Sequence, residues 1–132
     1  MELTRQDYDL IQEAKRTADR LHLEGVHEVA AALRTASGQI FTGIHIEADV
    51  GNVGICGEVA AICCMVSGGC RDIAVIVAVT SDGRGNYKLL VPCGRCREII
   101  SDFSLEAEAI VGTLERPYKM KITELLPLKP YS

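Results

Sequence analysis

The sequence predicts an α/β fold of three layers, α-β-α, built on a mixed five-stranded sheet. Periodic segments run helix, strand, strand, helix, strand, strand, helix, strand, so two β-α-β crossings follow a hairpin. The run IAVIVAVT at 73–80 is continuous and β-branched, as a central strand buried on both faces requires. Segment 56–67 (with EVAAICCMV) is nearly apolar all round, which predicts a helix buried on most sides.

The first helix is expected over 4–21. Thr4 can cap it, with Asp7 three residues on as in a capping box, and Leu3 and Tyr8 sit where a hydrophobic staple would bridge the start. Ile11, Ala14, Ala18 and Leu21 recur at helical spacing and form a core-facing stripe. Segments 29–34 and 39–46 read as strands joined by a short turn at Ala36-Ser37-Gly38, the spacing of an antiparallel hairpin. Residues 49–54, with two glycines and an asparagine, are expected to form a loop. The apolar helix ends at Ser67-Gly68-Gly69. After the central strand come a polar loop at 81–86, a strand at 87–91, and a turn at Pro92 into a helix reaching residue 102. A short strand at 109–112 and a last helical turn at 123–126 complete the chain.

With 132 residues and no internal repeat or linker, one domain (1–132) is expected. A 48% apolar and 24% charged composition fits a soluble globular chain. The net charge of −4 and the absence of a basic run argue against a nucleic acid polymer as partner, because phosphate neutralisation needs clustered Lys and Arg. Aromatic stacking platforms are scarce too, at 5%. The start MELTRQDYDL lacks the basic and apolar stretches of a signal peptide, and no apolar run reaches the ~20 residues that span a bilayer. A cytoplasmic protein without a membrane partner is expected. In that reducing compartment, the six cysteines are better read as metal-binding or catalytic than as three disulfides.

Two segments concentrate the chemistry: Cys56-Gly57-Glu58 and Pro92-Cys93-Gly94-Arg95-Cys96, each where the chain enters a helix. Cys93 and Cys96 share a face of a first helical turn, so two thiolates can converge on one metal. Helix starts favour anions and should lower the thiol pKa. Cys56 supplies a third ligand. Three protein ligands leave one tetrahedral position open, the pattern of a catalytic zinc, and soft thiolates favour zinc over magnesium or calcium. Glu58 diverges from Cys56 by about 200° on a helix of 3.6 residues per turn, so it is not a ligand beside it. It suits a proton carrier next to water that zinc acidifies.

C-x-E followed by P-C-x-x-C, with both cysteine groups opening helices, is the pattern of zinc-dependent base deaminases. The chain resembles the cytidine deaminase superfamily, and within it the small blasticidin S deaminase branch. The resemblance spans about residues 27–127, through EVAAALRTASGQIFTGIHIEA, CGEVAA, VAVTS, VPCGRCREIISD and ITELLPLK. It implies the cytidine deaminase-like three-layer fold and a homotetramer with one zinc per subunit. It also implies hydrolysis of a free cytosine nucleoside by water, with release of ammonia. Cys56, Cys93 and Cys96 take the ligand positions and Glu58 the proton-shuttle position. The backbone at Gly57 would hold the pyrimidine, and Tyr131 would stand for the C-terminal aromatic that caps the base.

Relatives place Asn-x-Glu on the second hairpin strand to grip sugar hydroxyls; here the same place reads His45-Ile46-Glu47. His27 stands where a Phe is usual, Val59 where many have an Arg bonded to the zinc thiolates, Gly57 where Ala is commoner, and Val91 where Ser is. The His45 and His27 changes are shared with bacterial blasticidin S deaminases. The substrate therefore stays open between cytidine or deoxycytidine, blasticidin S and another aminated heterocycle. Buried thiols without metal, a closed structural zinc and a non-catalytic scaffold are the bland alternatives. An editor of RNA or DNA is disfavoured by the charge. Cys63, Cys64 and Cys70 read as ordinary core or surface thiols, and His22 as a residue favourable to a helix C-terminus.

Overall fold

The structure is a computed structural model and describes residues 1–130. Four helices and six strands follow in the order α1 (Arg5–Leu21), β1 (Val29–Thr35), β2 (Ile40–Ile44), α2 (Gly57–Ser67), β3 (Ile73–Ser81), β4 (Tyr87–Leu90), α3 (Gly94–Phe103), β5 (Glu108–Gly112), β6 (Pro117–Lys121) and α4 (Ile122–Leu125). A short 3₁₀ turn, Gly51–Val53, lies before α2. None of the described helices is long and apolar enough to cross a membrane.

The sheet is ordered β2-β1-β3-β5-β6. One edge of β3 is covered by β1 along nearly its whole length. Its other edge is shared: Val75 and Ile76 pair with β5 in parallel, and Ala78–Ser81 pair with β4 antiparallel. The sheet is therefore mixed, as expected, because the β3-α3-β5 passage is a crossover while the hairpins run antiparallel.

Alternation along the strands separates two cores. Ala30, Ala32, Val75, Val77, Val79 and Ile110 pack with Leu10, Ile11, Ala14 and Ala18 of α1. Ala31, Leu33, Ile76, Ala78, Ala109 and Val111 pack with Ala61, Ile62 and Met65 of α2 and Cys96 and Ile100 of α3. Three layers result. The second helix rests directly on the sheet: a Cβ on Gly43 would lie 2.2 Å from the Ala61 backbone nitrogen, so only glycine admits this approach.

Three expectations need correction. The sheet has six strands, not five, because 117–121 pairs antiparallel with β5. PYKMK hides this by placing Lys119 inward, where its Nζ lies 2.9 Å from buried Asp7 and 3.6 Å from Glu108. The second hairpin strand stops at Ile44, and beyond it Ile46 bridges to Ile55 instead. Finally, α2 is not buried on most sides within one chain. Gly57, Glu58, Ala61, Ile62 and Met65 face inward, whereas Cys63, Cys64, Val66 and Ser67 are exposed. The first helix is as expected: Thr4 caps it, and the box with Asp7 is formed in both directions. Leu3 joins the adjacent core, while Tyr8 is exposed.

Candidate zinc centre and active site

A helix start leaves backbone N–H groups without partners, and a Ser, Thr, Asp or Asn cap usually satisfies one of them. Here the caps of α2 and α3 are Cys56 and Cys93, both extended (φ −69°, ψ 149° and φ −69°, ψ 172°), and neither side chain makes a cap hydrogen bond. Both thiols turn toward one point instead. The Cys56 and Cys93 sulfurs are 3.8 Å apart, and those of Cys93 and Cys96 are 3.5 Å apart. All three lie within 4.8 Å of one another.

These spacings fit a metal. Zn–S bonds of about 2.3 Å at tetrahedral angles put sulfurs ~3.8 Å apart. A disulfide would need ~2.0 Å, and all six cysteines are free thiols. The three residues form a zinc-binding cluster. Cys96 is buried, Cys56 partly buried and Cys93 exposed, so the centre opens on one side.

The two cysteine segments are tied to each other and to the sheet. Arg95 Nη1 donates to the Gly54 carbonyl at 3.1 Å, linking the loop ahead of Cys56 to the first turn of α3. Arg97 donates from Nε to the Pro92 carbonyl (2.8 Å) and from Nη1 to the Leu125 carbonyl (3.0 Å). It thereby fixes the turn into α3 against α4. The start of α2 lies on β1, where a Cβ at Gly57 would meet Ala31 N at 3.2 Å and Val29 O at 3.3 Å.

Glu58 is buried, with 5% of its surface exposed, in the first turn of α2. Burial pushes its pKa above the usual carboxylate value, although its own backbone N–H and the Cys96 thiol pull the other way. Burial likewise raises Cys56, and raises Cys96 further with the help of the nearby Glu58 carboxylate. Cys93 is lowered: burial opposes this, but the Cys96 backbone N–H and the Cys96 and Cys56 thiols outweigh it. The thiolate-favouring effect expected of a helix start thus prevails only at Cys93. At the other two, burial wins, helped by the neighbouring acidic groups. A divalent cation reverses that balance, since it stabilises thiolates directly.

His45 and Glu47 lie just past β2. Ile46 and Ile55 exchange backbone hydrogen bonds of 2.9 Å, which sets His45 opposite Cys56 and Glu47 opposite Gly54. The structure therefore sets the backbone of His45 next to that of Cys56. His45 Nε2 lies 3.1 Å from Glu47 Oε2. His27 is drawn in as well, its Nδ1 2.8 Å from the His45 carbonyl. Tyr131 lies outside the described residues. Val59 packs against the core below α2. Cys63 and Cys64 are exposed, and Cys70 donates to Gln39 Oε1 at 2.7 Å, all apart from the cluster. His22 caps the end of α1 and lies against Gly83. The bonds of Arg97 were not legible in sequence, because both of its acceptors are backbone carbonyls.

Residues 4–113 match the family described as the cytidine and deoxycytidylate deaminase zinc-binding region. A blasticidin-S deaminase of Bacillus cereus is 36% identical over 96% of this chain and 94% of its own length. A crystal structure of cytidine deaminase from Mycobacterium tuberculosis superposes with a TM-score of 0.71 at 25% identity, covering 92% of this chain and 94% of that one. One from Bacillus anthracis reaches a TM-score of 0.78 at 19% identity, over 92% and 87% of the two chains, which bears on the fold alone. Sulfurs at zinc-binding spacing on two helix starts, with this likeness along nearly the whole chain, make the protein a member of the cytidine deaminase family.

Proposed function

We propose that this chain removes the exocyclic amino group from the cytosine ring of a free nucleoside, giving the uracil form and ammonia. The observation that carries the proposal is one cluster: three sulfurs at tetrahedral spacing with the buried Glu58 carboxyl beside them. When bound, zinc supplies acidified water as a nucleophile at neutral pH. Cys56, Cys93 and Cys96 hold it. Glu58 takes a proton as the water oxygen bonds to the amino-bearing ring carbon, and passes it to the adjacent ring nitrogen. A second transfer protonates the amino nitrogen, the C–N bond breaks and ammonia leaves. A carboxyl with a raised pKa suits both receipt and return of a proton. The amide nitrogens at the start of α2, beginning at Gly57, face the same region and hold the ring. His45 and Glu47 contact the sugar side.

Cytidine, deoxycytidine and blasticidin S are the substrates this site is proposed to take. The Bacillus cereus relative is named for the last, and an antibiotic-inactivating role follows if this chain shares it. His45 in place of an amide side chain equally suits another aminated heterocycle. We also propose a homotetramer. Support comes from apolar surface that one chain leaves exposed: Val66 and two cysteines on α2, and Ile46, Val50, Val53 and Val91 around the cysteine loops.

Ultraviolet spectra and ammonia release on incubation with these compounds test the proposal. Zinc-loaded protein that turns over no cytosine compound contradicts it. Glu58→Gln is expected to lower turnover by at least about 10²–10⁴-fold, the usual worth of a general acid–base. Its zinc content by atomic absorption stays at the wild-type level. Activity that survives this change removes Glu58 from the mechanism.

A further inference from the structure

Cys56 and Cys93 open their helices in the same extended conformation, and the backbone on both sides of each is held, but by different means. Ahead of Cys56, the Ile55 carbonyl accepts from Ile46 N at 2.9 Å across an isolated β-bridge. The Cys56 carbonyl then accepts from Ala60 N at 3.0 Å as the first bond of α2. Backbone alone pins this ligand. Cys93 follows β4, whose pairing ends at Leu90, so Pro92 lies beyond the sheet. The Pro92 carbonyl accepts instead from Arg97 Nε at 2.8 Å, and the Cys93 carbonyl accepts from Arg97 N at 2.9 Å. One residue therefore holds both peptide units that flank Cys93. A peptide unit is planar, so fixing its oxygen fixes the direction in which the next Cα is presented.

Cys93 needs this hold more than the other two ligands. Cys96 is fully buried and Cys56 partly so, whereas Cys93 is exposed and its thiol makes no cap bond. Arg97 also reaches a second carbonyl, because a guanidinium carries several donors in a rigid fork. That carbonyl is Leu125 O, 3.0 Å from Nη1, in the last turn of α4. Carbonyls at a helix end have no donor within the helix, so the guanidinium satisfies a group that α4 cannot. Four residues are too few for a helix to be stable by itself, which makes α4 dependent on such anchors.

We infer that Arg97 is a positioning residue for the zinc centre: its side chain takes the place of a strand bridge ahead of Cys93 and ties that ligand to α4. Zinc held by the three thiols and order in α4 then stabilise each other, since both need the same guanidinium in the same place, and such coupling is reciprocal. Both side-chain acceptors are carbonyls, so Arg97 acts through backbone position and not on sulfur or substrate. Only the three-cysteine centre is required for this, whatever the substrate.

The test compares zinc-loaded wild type, Arg97→Lys and Arg97→Gln, first by the rate of zinc release to a colorimetric chelator. Loss of an outer partner of a metal ligand typically costs about 10–100-fold in metal affinity. Arg97→Gln is expected to release zinc faster by about tenfold or more, and Arg97→Lys, which keeps a charged donor for one carbonyl at a time, by less. The second readout is hydrogen exchange of the Leu126 amide, which donates to the Ile122 carbonyl at 3.1 Å and closes α4. Zinc is expected to slow this exchange by about fivefold or more in the wild type and to leave it unchanged in Arg97→Gln. A residue that merely stiffened the fold would alter protection by the same factor with and without zinc. Release from Arg97→Gln at the wild-type rate overturns the inference, as does a zinc effect on Leu126 that survives the substitution. If Arg97→Gln does not fold, the wild type decides: a Leu126 amide indifferent to zinc overturns the coupling. Neither readout involves turnover. Cytosine compounds left intact by zinc-loaded protein defeat the deaminase and leave Arg97 in its role, whereas failure of the Arg97 tests leaves the deaminase standing.

Discussion

The start of α1 and the starts of α2 and α3 handle the same backbone problem in opposite ways. At α1, Thr4 and Asp7 satisfy each other's backbone groups, and Asp7 also binds Arg34 Nη2 at 2.8 Å and Lys119 Nζ at 2.9 Å. The carboxylate is fully buried, yet two cations and a cap hold it. At α2 and α3 the caps are thiols without the oxygen of an ordinary cap, and they crowd one another. The α1 face of the sheet therefore pairs its buried carboxylate internally, whereas the α2–α3 face gathers three thiols that fit a cation.

Asp7→Ala should give the largest stability effect. It strands Arg34 and Lys119 and removes half of the capping box, which predicts a loss of about 3–5 kcal/mol in urea unfolding. Activity per folded molecule should stay unchanged, because Asp7 lies on the α1 face; a selective loss of activity would join the two faces. Glu58→Gln should do the reverse. Burial already disfavours the Glu58 charge, so unfolding free energy holds or rises while turnover collapses.

Acid sharpens the contrast. Although burial alone would raise it, the Lys119, Thr4 and Arg34 contacts hold the Asp7 pKa down at about 2, below its ordinary 3.8. A carboxylate depressed on folding stabilises fully above its unfolded value, and that contribution fades as pH falls through the folded value. Thermal midpoints of the wild type should therefore drop between about pH 4 and pH 2 by more than those of Asp7→Asn. Parallel curves would remove Asp7 from acid stability. The smallest effect tests the sacrificed caps. Cys93→Ser supplies a good cap oxygen at the start of α3 and should stabilise metal-free protein by roughly 0.5–1 kcal/mol while weakening zinc retention. Destabilisation of the metal-free form would mean that Cys93 already caps α3 effectively.

Local rules made the α1 start legible in sequence: Thr4 and Asp7 are three residues apart, and the stripe from Ile11 to Ala18 repeats at helical spacing. The β3 run was legible for the same reason, as was the pairing of cysteines with helix starts. What escaped depends on distant partners. The inward charge of Lys119 looks like a surface residue until Asp7 is placed beside it. The Ile46–Ile55 bridge, which sets His45 opposite Cys56, joins the end of the second hairpin strand to a stretch that follows a loop and has no strand periodicity. The apolar composition of α2 cannot distinguish cover by the same chain from cover by another copy, so a helix buried on most sides is expected where Val66, Cys63 and Cys64 are exposed.

X-ray absorption at the zinc edge of the purified protein tests the central claim most directly. Two helix starts aimed at one cation predict three sulfurs at about 2.3 Å and one exchangeable light ligand. A first shell closed by four protein ligands, or zinc retained after Cys56, Cys93 and Cys96 are all replaced, would contradict it.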